Sequence, residues 1–239
     1  MKKFIALILL ITCVQQINAQ KIFSEERLLN RENHDKQKFR WGYYLGFNSL
    51  DFDINFVEER ALLPNERQDI IIAKSTGFNV GLIGNMRIND YIDLRIEPGV
   101  VFNTREIAFP NVTSTNDRIR EVETTAVHIP LLLKVSTKRL NNFKPFIVGG
   151  VSTSINLSSN EDNPDDNESG QFRTKTNYFS YELGFGIDFF LPYFKFTPSV
   201  RGVFSLTDEL VPDENPNSQF TSSIEGLETR GIFVNFTFQ

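Results

Sequence analysis

Residues 179–189 alternate without a break. Phe179, Tyr181, Leu183, Phe185, Ile187 and Phe189 fall on one side, and Ser180, Glu182, Gly184, Gly186 and Asp188 on the other. A period of two over that length predicts an extended strand with one apolar and one polar face. Seven further segments read the same way with varying clarity: 40–56, about 73–87, 91–108, about 119–135, 143–157, 193–206 and 226–239. In the first, the apolar phase runs Trp41, Tyr43, Leu45, Phe47 and then Leu50, Phe52, Ile54, Phe56. That slip of one residue near Ser49 predicts a β-bulge. In the fifth, Gly149-Gly150 marks a bend or a tight contact.

The connections alternate in length. Residues 57–69, 109–118, 158–172 and 207–225 are long and rich in Asn, Asp, Glu, Pro and Ser, whereas 88–90, 136–142 and 191–192 are short. Long and short connections in strict alternation are the pattern of a membrane-spanning barrel with extended outer loops and tight periplasmic turns. The predicted fold is therefore all-β: an eight-stranded antiparallel transmembrane β-barrel with a filled polar lumen, short periplasmic turns and four long extracellular loops. An even strand number puts both termini on the periplasmic side.

The faces orient the strands. Asp93, Arg95, Glu97, His128, Lys134, Glu182, Asp188, Lys195 and Arg201 share the polar phase and carry both signs. Turned inward they can pair across a narrow lumen. Turned toward lipid, each charge costs roughly 2–4 kcal/mol near the midplane. The opposite phase holds Phe78, Val80, Leu94, Ile96, Leu131, Leu183, Phe185, Ile187, Phe196, Phe236 and Phe238, which suit hydrocarbon. The same alternation turned inside out fits a soluble lipid-binding barrel, and the sorting of loops by length favours the membrane. At eight strands the interior is just wide enough for its own side chains, which argues against a porin.

Residues 1–19 read as a signal peptide: Lys2 and Lys3, an apolar run from Phe4 to Val14, and a polar stretch ending at Ala19. The run is too short for a transmembrane helix. Residues 20–39 then form a periplasmic segment, and 40–239 the barrel domain. Within the first of these, 21–38 is polar apart from Ile22, Phe23, Leu28 and Leu29. It reads as a loose lead-in, the alternative being a short amphipathic helix that contacts a partner. Cys13 lies inside the leader, and a lipoprotein reading meets Thr12 where a small residue is expected. The mature chain would carry no cysteine, which excludes disulfides and thiolate chemistry. The formal charge of −5 falls by two more when Lys2 and Lys3 leave, so nucleic acid is excluded as a partner. Phe is abundant at 23 residues, against one Trp.

Candidate chemistry is sparse. Of the two histidines, His34 precedes the first strand and His128 lies within a strand beside Pro130. A His-based hydrolase would need His128 near a nucleophile and a carboxylate, and a hydrogen-bonded lumen histidine is the simpler reading. The acidic run Glu161–Glu168 lacks the spacing and central Gly of a calcium loop and reads as solvated. No phosphate loop or zinc spacing appears, and the chain is expected to have no enzyme activity, cofactor or small-molecule substrate.

Three passages, Val127-His-Ile-Pro-Leu-Leu-Leu-Lys134, Lys144-Pro-Phe-Ile-Val-Gly-Gly-Val151, and Tyr181-Glu-Leu-Gly-Phe-Gly-Ile-Asp188 running into Leu191-Pro-Tyr-Phe-Lys195, resemble the PorT-like outer-membrane β-barrel family of Bacteroidetes. A leader ending in Ala-Gln is similar to the leaders of that phylum. Trp41-Gly-Tyr-Tyr-Leu-Gly-Phe-Asn48 with Leu50-Asp-Phe-Asp53 resembles the PorT/SprT branch. The resemblance implies a component of the type IX secretion system, in protein export and, in gliding species, motility. It implies partners among secretion-system proteins and outer-membrane lipid, and it brings no catalytic residues. A filled barrel of this size implies an accessory role and not the channel; the alternative is a generic structural or adhesive outer-membrane barrel. Gln239, not an aromatic residue, ends the chain.

Overall fold

The computed structural model describes residues 29–57, 70–110, 112, 118–163, 167, 172–215, 218 and 220–239. The leader, Cys13 and residues 20–28 lie outside these, as do 164–166 and 168 of the acidic run. The strands are β1 (Phe39–Phe56), β2 (Ile71–Ala73), β3 (Thr76–Arg87), β4 (Ile92–Ile96), β5 (Gly99–Ala108), β6 (Ile119–Ser136), β7 (Phe143–Asn156), β8 (Asn177–Phe190), β9 (Lys195–Ser205) and β10 (Ile224–Phe238).

Each pairing is antiparallel, and the ladder closes because β1 pairs with both β10 and β3. β2 and β3 both pair with β5, and β4 and β5 both pair with β6, so each couple is one stave of an eight-stave ring. The break between β4 and β5 is Glu97-Pro98, where proline has no N–H to give the ladder. Pairing resumes beyond it in unchanged register, from Ile96↔Leu131 to Gly99↔His128. Among the described residues no helix is long and apolar enough to cross a membrane; the crossing is made by strands. The short connections 88–91, 137–142 and 191–194 share one end of the ring, which marks it as periplasmic.

The bulge expected near Ser49 is not there. β1 stays in register with β10 from Tyr43↔Phe238 to Asn55↔Gly226, and the shift falls only at Asn55/Phe56. What changes at Ser49 is the surroundings. Tyr44, Asn48, Leu50 and Phe52 all stand on the buried inner face, while outward positions pass from Trp41, Tyr43, Leu45 and Phe47 to Asp53 and Asn55. Below that level the barrel is bathed in hydrocarbon and turns polar groups inward. Above it the solvent is water, and apolar groups turn inward as in a soluble protein. β6 repeats the inversion: Leu131, Leu133 and Val135 face out below, whereas above them Glu121 and Glu123 face out and Val122 faces in. The Gly149-Gly150 pair is a tight contact and not a bend: a Cβ on Gly150 would lie 2.1 Å from the Leu131 carbonyl oxygen.

The upper ends of β10, β1, β5 and β6 form a wall that outruns β7, β8 and β9. Its inner side carries a core of Phe52, Ile107, Val122, Ile224 and Leu227, completed by Phe109, Val112, Phe172, Leu210 and Phe220 from the loops. Over it, the described residues of the 157–176 and 206–223 connections are laced together. The Arg173 guanidinium donates to the carbonyl oxygens of Asn163 (3.0 Å) and Pro212 (2.9 Å), and Asn167 donates to Asp213 at 2.7 Å. This apolar cap fills the extracellular end of the ring.

Residues 29–38 correct the expectation of a loose lead-in. They fold beneath the periplasmic mouth as a cork. Asn30 donates to the Asn142 side chain (2.9 Å) and to the Phe190 carbonyl (3.0 Å), and Arg31 donates to the Gln239 carbonyl at 2.8 Å. Asp35 pairs with Arg40 and Arg139 at 3.6 and 3.5 Å.

Candidate functional site

The charged side chains of the lumen lie in layers between cork and cap. Lowest, Arg40 of β1 donates to Asp93 of β4 at 2.8 Å. Next, Asp188 of β8 receives Lys134 of β6 at 2.5 Å and the Thr197 hydroxyl at 2.7 Å, with the Lys195 ammonium at 3.8 Å. Lys134 also stands 3.9 Å above the Phe146 ring, which adds a cation–π contact.

The central layer is a chain of alternating charge. Arg95 meets Glu97 at 3.2 Å, Glu97 meets Arg201 at 2.5 Å, and Arg201 meets Glu182 at 3.3 Å. Glu182 continues to His128 at 2.8 Å, and the other ring nitrogen of His128 lies 2.8 Å from the Ser154 hydroxyl. Every one of these groups is buried. Burial of so many ions holds only because each meets an opposite partner; removal of one partner from such a pair costs about 3–5 kcal/mol.

Asp93, Arg95, Glu97, His128, Lys134, Glu182, Asp188, Lys195 and Arg201 thus occupy the interior as three connected clusters. Phe78, Val80, Leu94, Ile96, Leu131, Leu183, Phe185, Ile187, Phe196, Phe236 and Phe238 stand on the outer phase of their strands, Leu183 at 65% exposed and Phe185 at 63%. Sequence reasoning passed over Arg40, Tyr44, Asn79, Asn85, Arg105 and Ser154, all buried in the lumen or cap. The parity of each strand was the signal that could have found them. Tyr44 fills a slot made by two glycines: a Cβ on Gly99 would lie 2.1 Å from its hydroxyl, and one on Gly81 2.6 Å from its ring.

Ser154, His128 and Glu182 share the connectivity of a hydrolase triad, nucleophile to base to carboxylate. Their surroundings differ from those of an active site. Ser154 is fully buried, His128 packs edge-on against Phe233 at 5.5 Å, and Glu182 is shared with Arg201.

Outside the spanning region, Glu209 and His34 have displaced titrations. Burial pushes the Glu209 carboxyl up while Arg105 opposes the shift, and the carboxylate accepts the Thr229 amide at 3.0 Å and its hydroxyl at 2.9 Å. Burial, with Lys195, Arg31 and Arg40 nearby, lowers His34 to about 3. His34 is 6% exposed, and neither ring nitrogen has a hydrogen-bond partner. Glu161 of the acidic run accepts the Thr176 amide at 2.8 Å, and among the described residues no cluster of metal-ligating side chains forms.

A closed ring of eight staves with an apolar outer belt, charges inside it and loops sorted by length defines an outer-membrane barrel. The chain belongs to the outer membrane protein beta-barrel domain family, which matches residues 18–211, and the protein resides in the outer membrane. Among solved structures it is similar to OprG of Pseudomonas aeruginosa (11% identity, TM-score 0.43, 84% of this chain and 93% of that one). It is also similar to AlkL as determined in lipid bilayers (12% identity, TM-score 0.44, 90% and 94%). The N-terminal barrel of Pseudomonas aeruginosa OprF gives 12% identity and a TM-score of 0.38 over 83% and 97%. No curated protein sequence matches the chain.

Proposed function

We propose that this barrel is an accessory component of the type IX secretion system of Bacteroidetes, acting through protein partners at its rims and not as the conduit. The observation that carries the accessory role is closure at three levels: a cork below, ion-paired layers in the lumen, and an apolar cap above. A polypeptide in transit would have to break all three. The secretion assignment draws on the resemblance of Trp41–Asp53 and of the three strand passages to the PorT/SprT branch. No catalytic step, cofactor or nucleic acid enters this reading.

Deletion of the gene tests it. The expected result is a block in export of many unrelated proteins, joined by loss of gliding in a gliding host. Normal secretion in the deletion strain overturns the assignment. A structural or adhesive barrel is the second reading, favoured by the folded cap that stands in the extracellular medium. It predicts unchanged secretion and altered surface attachment. Refolded protein in planar bilayers is expected to give no large, stable conductance, and a porin-like current would overturn the accessory role.

A further inference from the structure

The outside of a barrel is convex, so a concavity there has to be built by side chains. One exists at the seam where the chain closes on itself. Leu45 and Phe47 of β1, Phe78 of β3, Phe196 of β9, and Phe236 and Phe238 of β10 line an open trough of about 450 Å³. The register explains it: Leu45, paired with Phe236 and Val80, lies between the Phe47–Phe78 pair above and the Tyr43–Phe238 pair below, so a smaller side chain is flanked by larger rings. The walls are set. The Phe196 and Phe236 rings are parallel within 1° at 6.2 Å, and Tyr43 stacks on Phe238 at 5.3 Å to close the periplasmic foot. The volume lies in the range of small-molecule pockets.

Its position says what fills it. The trough lies in the apolar belt, above Trp41, which is 73% exposed at the periplasmic interface, and below the level where β1 turns outward Asp53 and Asn55 to water. Such a belt is in contact with hydrocarbon, and apart from Gly46 and Asn79 the trough is lined by apolar side chains. Cations stand at its foot. The Arg31 guanidinium is held at the carbonyl of Gln239, the residue after Phe238, and the Lys38 ammonium lies 5.8 Å from the Phe39 ring at the start of β1. Basic groups at the periplasmic end of an acyl-sized trough complement the phosphate of a lipid whose chain rises into the membrane.

We propose that the β9–β10–β1–β3 seam is a binding site for one phospholipid of the periplasmic leaflet, its acyl chain in the trough and its phosphate met by Arg31 and Lys38. This site does not depend on the secretion reading.

The test is native mass spectrometry of the protein extracted from outer membranes in mild detergent, paired with a gel-shift control for folding. Wild-type protein is expected to retain one phospholipid. Leu45→Trp fills the trough and is expected to lose it, whereas Leu183→Trp, on the outer face of β8, keeps it. In vesicles containing phosphatidylglycerol, Arg31→Gln and Lys38→Gln are each expected to weaken retention of that lipid about fivefold. Retention unaffected by Leu45→Trp, or absent from folded wild-type protein, overturns the proposal. So does a photo-crosslinker at position 45 that captures a protein segment and no lipid.

Discussion

At the residue scale the lumen is a set of obligations. Glu97 neutralises both Arg95 and Arg201. Glu97→Ala leaves two buried guanidinium groups short of a carboxylate and is expected to destabilise the barrel by about 3–5 kcal/mol, read as a lower melting temperature of the detergent-solubilised band. Ser154→Ala removes one acceptor or donor beside His128 and costs about 1 kcal/mol, with the lipid and peptide profiles of the cell unchanged. His34 gives a pH dependence whose sign is fixed. Its pKa is lowered in the folded cork from 6.5 to about 3, so the unfolded segment takes up the proton first as pH falls. The cork's stability is complete above about 6.5 and is lost progressively between that value and about 3. Hydrogen exchange of the 30–38 amides, corrected for the intrinsic rate at each pH, is expected to accelerate over that interval, and His34→Phe, which keeps a ring against Phe190, to abolish the acceleration. That the two histidines sit in a cork and in a lumen was half legible. Strand parity places His128 inside, but nothing in the pattern around His34 distinguishes a packed cork from a loose tail.

At the scale of elements, alternation gave eight staves and failed at one of them in an instructive way. The phase slip in β1 predicts a bulge because a bulge is the ordinary cause of a slipped face. The chain instead keeps its register and passes from one solvent to another, so the meaning of inside changes while the geometry does not. Sequence alone carries the mark of that crossing in Asp51 and Asp53 beside Phe52, yet a bulge leaves the same mark. The partners separate the two. Asp51 pairs with Lys74 at 2.9 Å and Arg230 with Asp53 at 3.1 Å, an outer ionic strip that belongs above the hydrocarbon. The cap is accordingly a small soluble core set on a membrane barrel. Phe52→Ala empties part of that core and strips the ring under Arg105, 3.6 Å away. The expected cost is about 3–5 kcal/mol, confined to the cap. Hydrogen exchange should show it as faster exchange in 206–223 and in the upper part of β6, with β8 unchanged; equal loss of protection in β8 would show that cap and barrel unfold as one unit.

For the whole molecule, the three closures act in series, and this sets what removing any one of them does. Ions crossing the barrel meet the cork, the charged layers and the apolar cap in turn, and resistances in series are governed by the largest. The cork is held by a handful of hydrogen bonds and the Asp35 pairs, whereas the lumen is tied by ion pairs on strands that cannot separate without opening the ladder. A chain lacking residues 20–37, with the leader joined to Lys38, is therefore expected to insert, to show the heat-dependent gel shift of a folded barrel, and to conduct no better than the full chain. Arg40 loses Asp35 in that form but keeps Asp93 at 2.8 Å, so the lowest layer stays neutralised. If shortening alone raised the current to that of a porin, the cork would be the gate and the lumen an open pore, and the case for a barrel that works only through its rims would end there.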